Sequence, residues 1–126
     1  MRTRNPAIAR CSAQWVVGLI VGLAVSGVVE AAIVNGAVGS IKSVYTYSDF
    51  GTGDMTFQVT SPLATCPDGF WIRMTDAGAK TLVAEVLRAV SASMPISTWG
   101  YDDAANTWSG SSGHYCRLYV LAFVGQ

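Results

Sequence analysis

One stretch constrains the fold more than any other. Residues 70–101, FWIRMTDAGAKTLVAEVLRAVSASMPISTWGY, read as strand, helix, strand. Ala79, Leu82, Val83, Val86, Leu87 and Val90 recur at the spacing of one helical face, with Lys80, Thr81, Glu85, Arg88 and Ser91 opposite. The pattern predicts a helix from about Ala77 to Ser93 that buries Leu82, Val83, Val86, Leu87 and Val90. Thr75 or Asp76 can cap its start through a short side-chain oxygen. Pro95 stops it, because proline breaks the hydrogen-bond ladder and restricts Met94 before it.

The other elements read as strands. Ile41 to Tyr47 alternates, with Ile41, Tyr45 and Tyr47 on one side and Lys42, Val44 and Thr46 on the other. Met55, Phe57 and Val59 alternate with Thr56, Gln58 and Thr60. Phe50-Gly51-Thr52-Gly53 joins these two strands as a turn, and Cys66-Pro67-Asp68-Gly69 supplies a second turn before the strand Phe70–Thr75. Ile96–Tyr101 follows the helix. Tyr115–Val124 closes the chain, with Leu118, Val120, Ala122 and Val124 on the face of Cys116 and Tyr119, Leu121 and Phe123 on the other. Ala32 to Gly39 reads as small and flexible, and Asp102 to Gly113 as a long polar loop. The order β-β-β-α-β-β fits a small OB-fold-like β-barrel with one helix between its third and fourth strands. The alternative is an open α+β sheet with the helix on one face.

The N-terminus stands apart from this domain. Arg2, Arg4 and Arg10 precede the uncharged run WVVGLIVGLAVSGVV (Trp15–Val29), and Val29-Glu30-Ala31 offers small residues at a cleavage site. This is the layout of a secretory signal peptide, residues 1–31, leaving one domain at 32–126. A membrane anchor needs about 20 apolar residues, more than this run supplies. The expected location is therefore secreted or periplasmic, without stable membrane insertion after cleavage. Cleavage leaves five basic residues (Lys42, Arg73, Lys80, Arg88, Arg117) against seven acidic ones (Asp49, Asp54, Asp68, Asp76, Glu85, Asp102, Asp103), a net charge of −2. Scattered cations on a mildly acidic domain do not make a nucleic-acid binder. Cys66 and Cys116 then have one possible pairing, a bridge suited to an exported domain; two buried free thiols are the alternative.

No catalytic pattern holds together. Asp49-Phe50-Gly51 spells the kinase magnesium tripeptide without any other kinase element. Gly110-Ser111-Ser112-Gly113-His114 sets serines beside the only histidine, but it follows no strand and has no acid to orient the imidazole. Asp102-Asp103 lacks the further spaced oxygens of a calcium loop. One histidine and a paired cysteine set leave no zinc site. Neither a cofactor nor a metal is implied.

Aromatic residues do stand out. Trp71, Trp99, Tyr101 and Trp108 crowd the strand ends and the long loop, and Tyr45, Tyr47, Tyr115 and Tyr119 add rings with hydroxyl tips. Such rings suit binding as well as core filling. A tryptophan among Ser, Gly and Asn in the longest connection is the expected anchor of a ligand or subunit surface. That surface is expected to comprise Trp108, Tyr101, Ser111, Ser112 and His114. The competing expectation is that Trp108 folds back and covers the domain's own core.

With the exported domain, its element order, the Cys66 and Cys116 pair and the helix followed by Pro95 and a strand in place, the chain resembles the B subunits of AB5-type bacterial toxins, of the pertussis-like and subtilase-cytotoxin-like kinds. The segments CPDGFWIRMTDAGAKTL and WSGSSGHYCRLYVL are also similar to a set of small exported bacterial proteins of uncharacterised role. The toxin resemblance implies a non-enzymatic binding module that assembles as a homo-oligomer, a pentamer, and engages a glycan or protein receptor. It transfers no individual sugar-binding residue. The other expectation is a stand-alone structural or envelope protein without a ligand site.

Overall fold

The computed structural model describes residues 31–36 and 38–125. The expected signal segment lies outside the described residues, Ala31 apart. Among the described residues no helix is long and apolar enough to cross a membrane. Six strands form one sheet: β1 (Ile33–Asn35), β2 (Ile41–Thr46), β3 (Met55–Val59), β4 (Gly69–Ile72), β5 (Ile96–Tyr101) and β6 (Tyr115–Phe123). A single α-helix, α1 (Ala79–Ser91), lies between β4 and β5, and a short 3-10 helix spans Ala104–Asn106. The sheet order is β1-β5-β6-β4-β3-β2. β4 and β6 run parallel, and the other neighbours run antiparallel. No ladder joins β1 to β2, so the sheet is not closed into a barrel. The coarser expectation, a small β-rich fold carrying one helix, holds; the closed barrel does not.

β1 corrects the reading of residues 32–39 as merely flexible. Its three residues pair with Tyr101, Gly100 and Trp99. Beyond it, Gly39 and Ile96 exchange main-chain hydrogen bonds at 3.0 and 2.8 Å. The segment from β1 to β2 therefore meets β5 with its first half and β3 with its second.

Two register shifts overturn the expected strand faces. In β2 the pairing slips between Ile41 and Ser43, so Lys42 is the extra residue and both Ile41 and Val44 reach the core. In β6 Leu118 pairs with Gly100 and Val120 with Trp99, which leaves Tyr119 as the extra residue. Because side chains alternate, one added residue exchanges the faces of everything beyond it. Cys116 and Leu118 point into the core before the bulge, and Leu121 and Phe123 after it. Tyr119 and Val120 are exposed.

The helix is shorter than its sequence pattern and rotated from it. Ala79, Val86 and Ala89 are buried, with Leu82 and Val83 packed against the core. Leu87 is 51% exposed and Val90 44%, contrary to expectation. The small Ala79 and Ala89 let the helix backbone approach the sheet, so the bulkier Leu87 and Val90 are the ones turned outward. No side chain caps the start: Gly78 holds that position, and Asp76 spends its carboxylate elsewhere. At the far end, Ser93 has φ 51°, Ser93 N–H donates to Val90 O, and Met94 N–H donates to Ala89 O. That paired closure ends the helix before Pro95 is reached.

The core lies between helix and sheet. Phe57, Phe70, Ile72, Val86 and Ile96 are all but inaccessible, and Phe57 and Phe70 stack with centroids 5.8 Å apart. A disulfide joins Cys66 to Cys116 at its edge, with Cα atoms 5.5 Å apart. It ties the turn before β4 to the start of β6, as expected. Gly69 has φ 113°, and a Cβ there would sit 2.2 Å from Phe57 O, so the turn into β4 needs glycine.

Candidate functional site

The loop 102–114 lies against the sheet face opposite α1. Hydrogen bonds within it and to the sheet hold it in place. Asp103 Oδ1 accepts from Ala105 N–H at 3.1 Å and starts the 3-10 turn. Trp108 N–H donates to Tyr115 O, and Thr107 bridges to Cys116. Asp68 Oδ2 accepts from His114 N–H at 2.6 Å. Asp68 therefore fastens the loop's far end to the turn before β4.

Trp108 is only 3% exposed, which corrects the expectation of a surface ring. Its indole meets Tyr47, Phe50 and Tyr115 at centroid distances of 4.8, 5.2 and 5.7 Å. Its Nε1–H donates to Asp54 Oδ2 at 3.2 Å, and Asp54 is itself buried. The ring fills a second small core on the reverse of the sheet. Trp71 is buried on the same reverse face and donates from Nε1 to Asn106 O at 2.7 Å.

The remaining expected site residues do not converge. Ser111 and Ser112 are exposed, and Ser111 Oγ accepts from Gly113 N–H at 3.1 Å, which is turn chemistry. His114 is half-buried beside Asp68 and Tyr115 along the chain. Tyr101 lies apart from them, at the end of β5, and belongs to a different place.

That place is a surface pocket of about 290 Å³ between the start of α1 and the bulge of β6. Asp76, Gly78, Leu82, Tyr101, Arg117 and Tyr119 are among its lining residues. The bulge supplies its most exposed ring. Tyr119, without a partner in the β5–β6 register, is 50% exposed and lies 5.2 Å from Tyr101 between centroids. Bulges commonly re-aim a side chain beside a functional site. Arg117 forms the floor. Its Nε and Nη2 donate to Asp76 Oδ2 and Oδ1 at 3.0 and 2.8 Å, a two-point fork, and Nη1 donates to Asn106 Oδ1 at 2.9 Å. The guanidinium also lies 5.6 Å from the Tyr101 ring centroid.

Asn106 links the pocket to the loop. Its Nδ2 donates to Asp103 Oδ2 at 2.8 Å while its carbonyls accept from Arg117 and Trp71. The Asn106 amide, aided by the N–H of Ala105, holds the Asp103 carboxyl below the ordinary aspartate range. Of the pocket residues, sequence reasoning reached Tyr101 alone. In the sequence Asp76 is a candidate helix cap, Arg117 a scattered cation and Tyr119 one ring among many. They meet because a parallel pairing sets β6 beside β4 and a bulge turns Tyr119, and neither leaves a mark in the local sequence. Among the described residues no cluster of three metal-ligating side chains occurs.

Compared with protein-family models, curated proteins and solved structures, the chain matches none.

Proposed function

We propose that this chain is a small exported binding module, non-enzymatic, built as an OB-type domain. The observation that carries the reading is the pocket of Tyr101, Tyr119, Arg117 and Asp76. It joins an exposed aromatic surface to a fixed charged pair on the rigid end of β5 and β6. Export is supported by the Cys66–Cys116 disulfide, since oxidising compartments keep such bridges. The OB reading is supported by strand order. With the segment from β1 to β2 counted as one bent strand, its halves sit at both ends of a meander that includes the parallel β4–β6 pair. Assembly into a ring of the toxin B-subunit kind is supported by β2. Among the described residues it is an end strand with an open edge, beside a groove of about 240 Å³ lined by Ile41, Val44 and Val90.

The test is capture. The purified chain is presented to arrayed glycans and to receptor ectodomains, with the Tyr119→Ala variant in parallel and native mass spectrometry for the assembly. Retention of a partner by the parent chain and its loss in the variant, at equal thermal stability, is the expected result. Unchanged capture by Tyr119→Ala would remove the pocket from the function, and a monomer would remove the ring. A second reading, an envelope protein with no ligand site, is favoured by the burial of Trp108 in the loop's own scaffold. It predicts that no partner is retained.

A further inference from the structure

Resting on the reading of this pocket as a binding site, we infer that its ligand is an extended peptide segment, which adds as a strand to the free edge of β6 and lodges one large side chain in the pocket. The edge is set by how early β4 leaves. β4 pairs with β6 only at Tyr115, Cys116 and Arg117, although β6 continues to Phe123. Past Ile72 the chain turns aside. Asp76 N–H donates to Arg73 O at 3.0 Å, and the Asp76–Arg117 fork holds that turn against β6 where the pairing stops. From Leu118 to Phe123, β6 therefore pairs with β5 on one side and with no strand on the other.

The phase of the pairing says which groups are free. Val124 N–H donates to Pro95 O at 3.1 Å, and along an antiparallel ladder the main-chain groups of successive residues point alternately to the partner and away from it. Leu121 and Phe123 thus turn their N–H and C=O groups away from β5. Among the described residues neither makes a main-chain hydrogen bond on that side. Buried main-chain groups are seldom left unpaired, so water meets these until something replaces it. An extended main chain is the ligand whose own N–H and C=O groups repeat at the same spacing.

Shape and the pocket narrow the ligand further. α1 runs beside this edge: Gly78 and Leu82 line the pocket with Leu118 and Tyr119, and the Arg88 guanidinium lies 5.0 Å from the Phe123 ring centroid. A slot between a helix and a strand admits one extended segment, whereas the edge of a second folded copy brings its own sheet and helix with it. The pocket, about 290 Å³, lies just under the range of pockets that enclose whole drug-sized ligands, which suits one side chain of a longer segment. Its walls choose that side chain. Tyr119, half exposed and 5.2 Å from Tyr101 between centroids, offers a ring face. Asp76 and Arg117 are paired and neutral as a unit, so a charged side chain would meet its like charge beside the partner it sought. A tyrosine suits both features, its ring against Tyr119 and its hydroxyl donating to a remaining lone pair of Asp76.

The experiment is a titration of the isotope-labelled chain followed through its backbone amides. The first probe is a short blocked peptide of alternating threonine and valine that carries one tyrosine. The others are the same peptide with alanine for that tyrosine, and two N-methylated forms that block alternate main-chain N–H groups in one frame or the other. The first probe is expected to shift the amides of Leu118, Tyr119, Leu121 and Phe123 saturably and to slow hydrogen exchange at Leu121 and Phe123. The N-methylated form whose blocked groups face β6 should lose binding, and the other should keep it. Removing the peptide's tyrosine is expected to weaken binding at least about tenfold, as is Tyr119→Ala in the chain with its melting temperature unchanged. Equal binding of both N-methylated forms overturns the inference and leaves the pocket as a site. Slow exchange at Leu121 and Phe123 in the free chain also overturns it. If that protection grows with chain concentration, a second copy holds the edge; if it does not, the fold itself closes the edge. Silence from every peptide overturns it too. In that case loss of a captured partner in Tyr119→Ala keeps the binding-module reading, and capture unchanged or absent ends both.

Discussion

Trp108 shows how one residue changes meaning between sequence and structure. A tryptophan amid Ser and Gly looks like an exposed anchor, yet three aromatic neighbours and Asp54 enclose it. Trp108→Ala is expected to cost about 3–5 kcal/mol in chemical denaturation, the range for emptying a buried aromatic site. Trp108→Phe restores most of the ring but leaves the buried Asp54 carboxylate without its indole donor. It is expected to cost about 1–3 kcal/mol, so a variant as stable as the parent would show that the hydrogen bond contributes nothing. Asp103 gives a pH signature at the same scale. Its carboxyl is held low in the folded chain, chiefly by the Asn106 amide. The unfolded chain therefore binds the proton first as pH falls. The contribution is full above the ordinary aspartate value of about 3.8 and is lost as pH drops through the lower folded value. Denaturation curves between neutral pH and strong acid should show a smaller acid loss in Asp103→Ala than in the parent. Equal losses would mean that the Asp103–Asn106 contact does not persist in solution.

At the scale of elements, the helix carries the clearest tests. Its buried stripe runs through Ala79, Val86 and Ala89 rather than through Leu87 and Val90. Leu87→Ala is expected to change stability by less than about 1 kcal/mol, whereas Val86→Ala, at an inaccessible site, should cost about 2 kcal/mol or more by denaturant titration. If the helix face is covered by a second copy, Leu87→Ala would instead lower stability in a concentration-dependent way. Ser93 closes the helix in a left-handed conformation that favours glycine, so Ser93→Gly is expected to stabilise by about 0.5–1 kcal/mol. A neutral or destabilising result would show that its side chain offsets the backbone cost. These elements also mark what could be read in advance. The alternation of Met55, Phe57 and Val59 was legible because only the helix-side face takes apolar side chains, while Thr56 and Gln58 point the other way, and β3 has no bulge within it. The existence of the helix was legible too. Its rotation was not, because apolar residues cover more than half its circumference and the choice of face depends on how closely Ala79 and Ala89 let it approach. The faces of β2 and β6 were not legible either. A single extra residue at Lys42 or Tyr119 is decided by the partner strand, β3 or β5, and the local pattern carries no trace of it.

At the scale of the whole molecule, the disulfide ties the two cores together. Cys66 opens the turn that delivers β4, whose Phe70 and Ile72 face the helix and whose Trp71 faces the loop. Cys116 is the second residue of β6, directly after His114 and Tyr115, the residues on which the loop and Trp108 are fastened. The one bridge therefore lies where the helix-side core, the Trp108 core and the parallel β4–β6 pairing meet. It closes a separation of 50 residues, and the chain-entropy argument gives such a loop about 4 kcal/mol. That is a large share of what a domain of this size has to lose, since small domains bury a modest fraction of their surface. Cys66→Ala/Cys116→Ala should therefore fold weakly or not at all at physiological temperature. Its loss should register at both cores together, in the near-ultraviolet signal of Trp108 and Trp71 and in the protection of the β3 and β4 amides. The loop should open with the rest, because its far anchor adjoins the bridge. If the double variant instead kept β3 and β4 protected while the tryptophan signal vanished, the bridge would be a clasp for the loop alone and the two cores would be independent. Two free thiols in the purified, oxidised protein, by intact mass with and without reductant, would remove the premise itself.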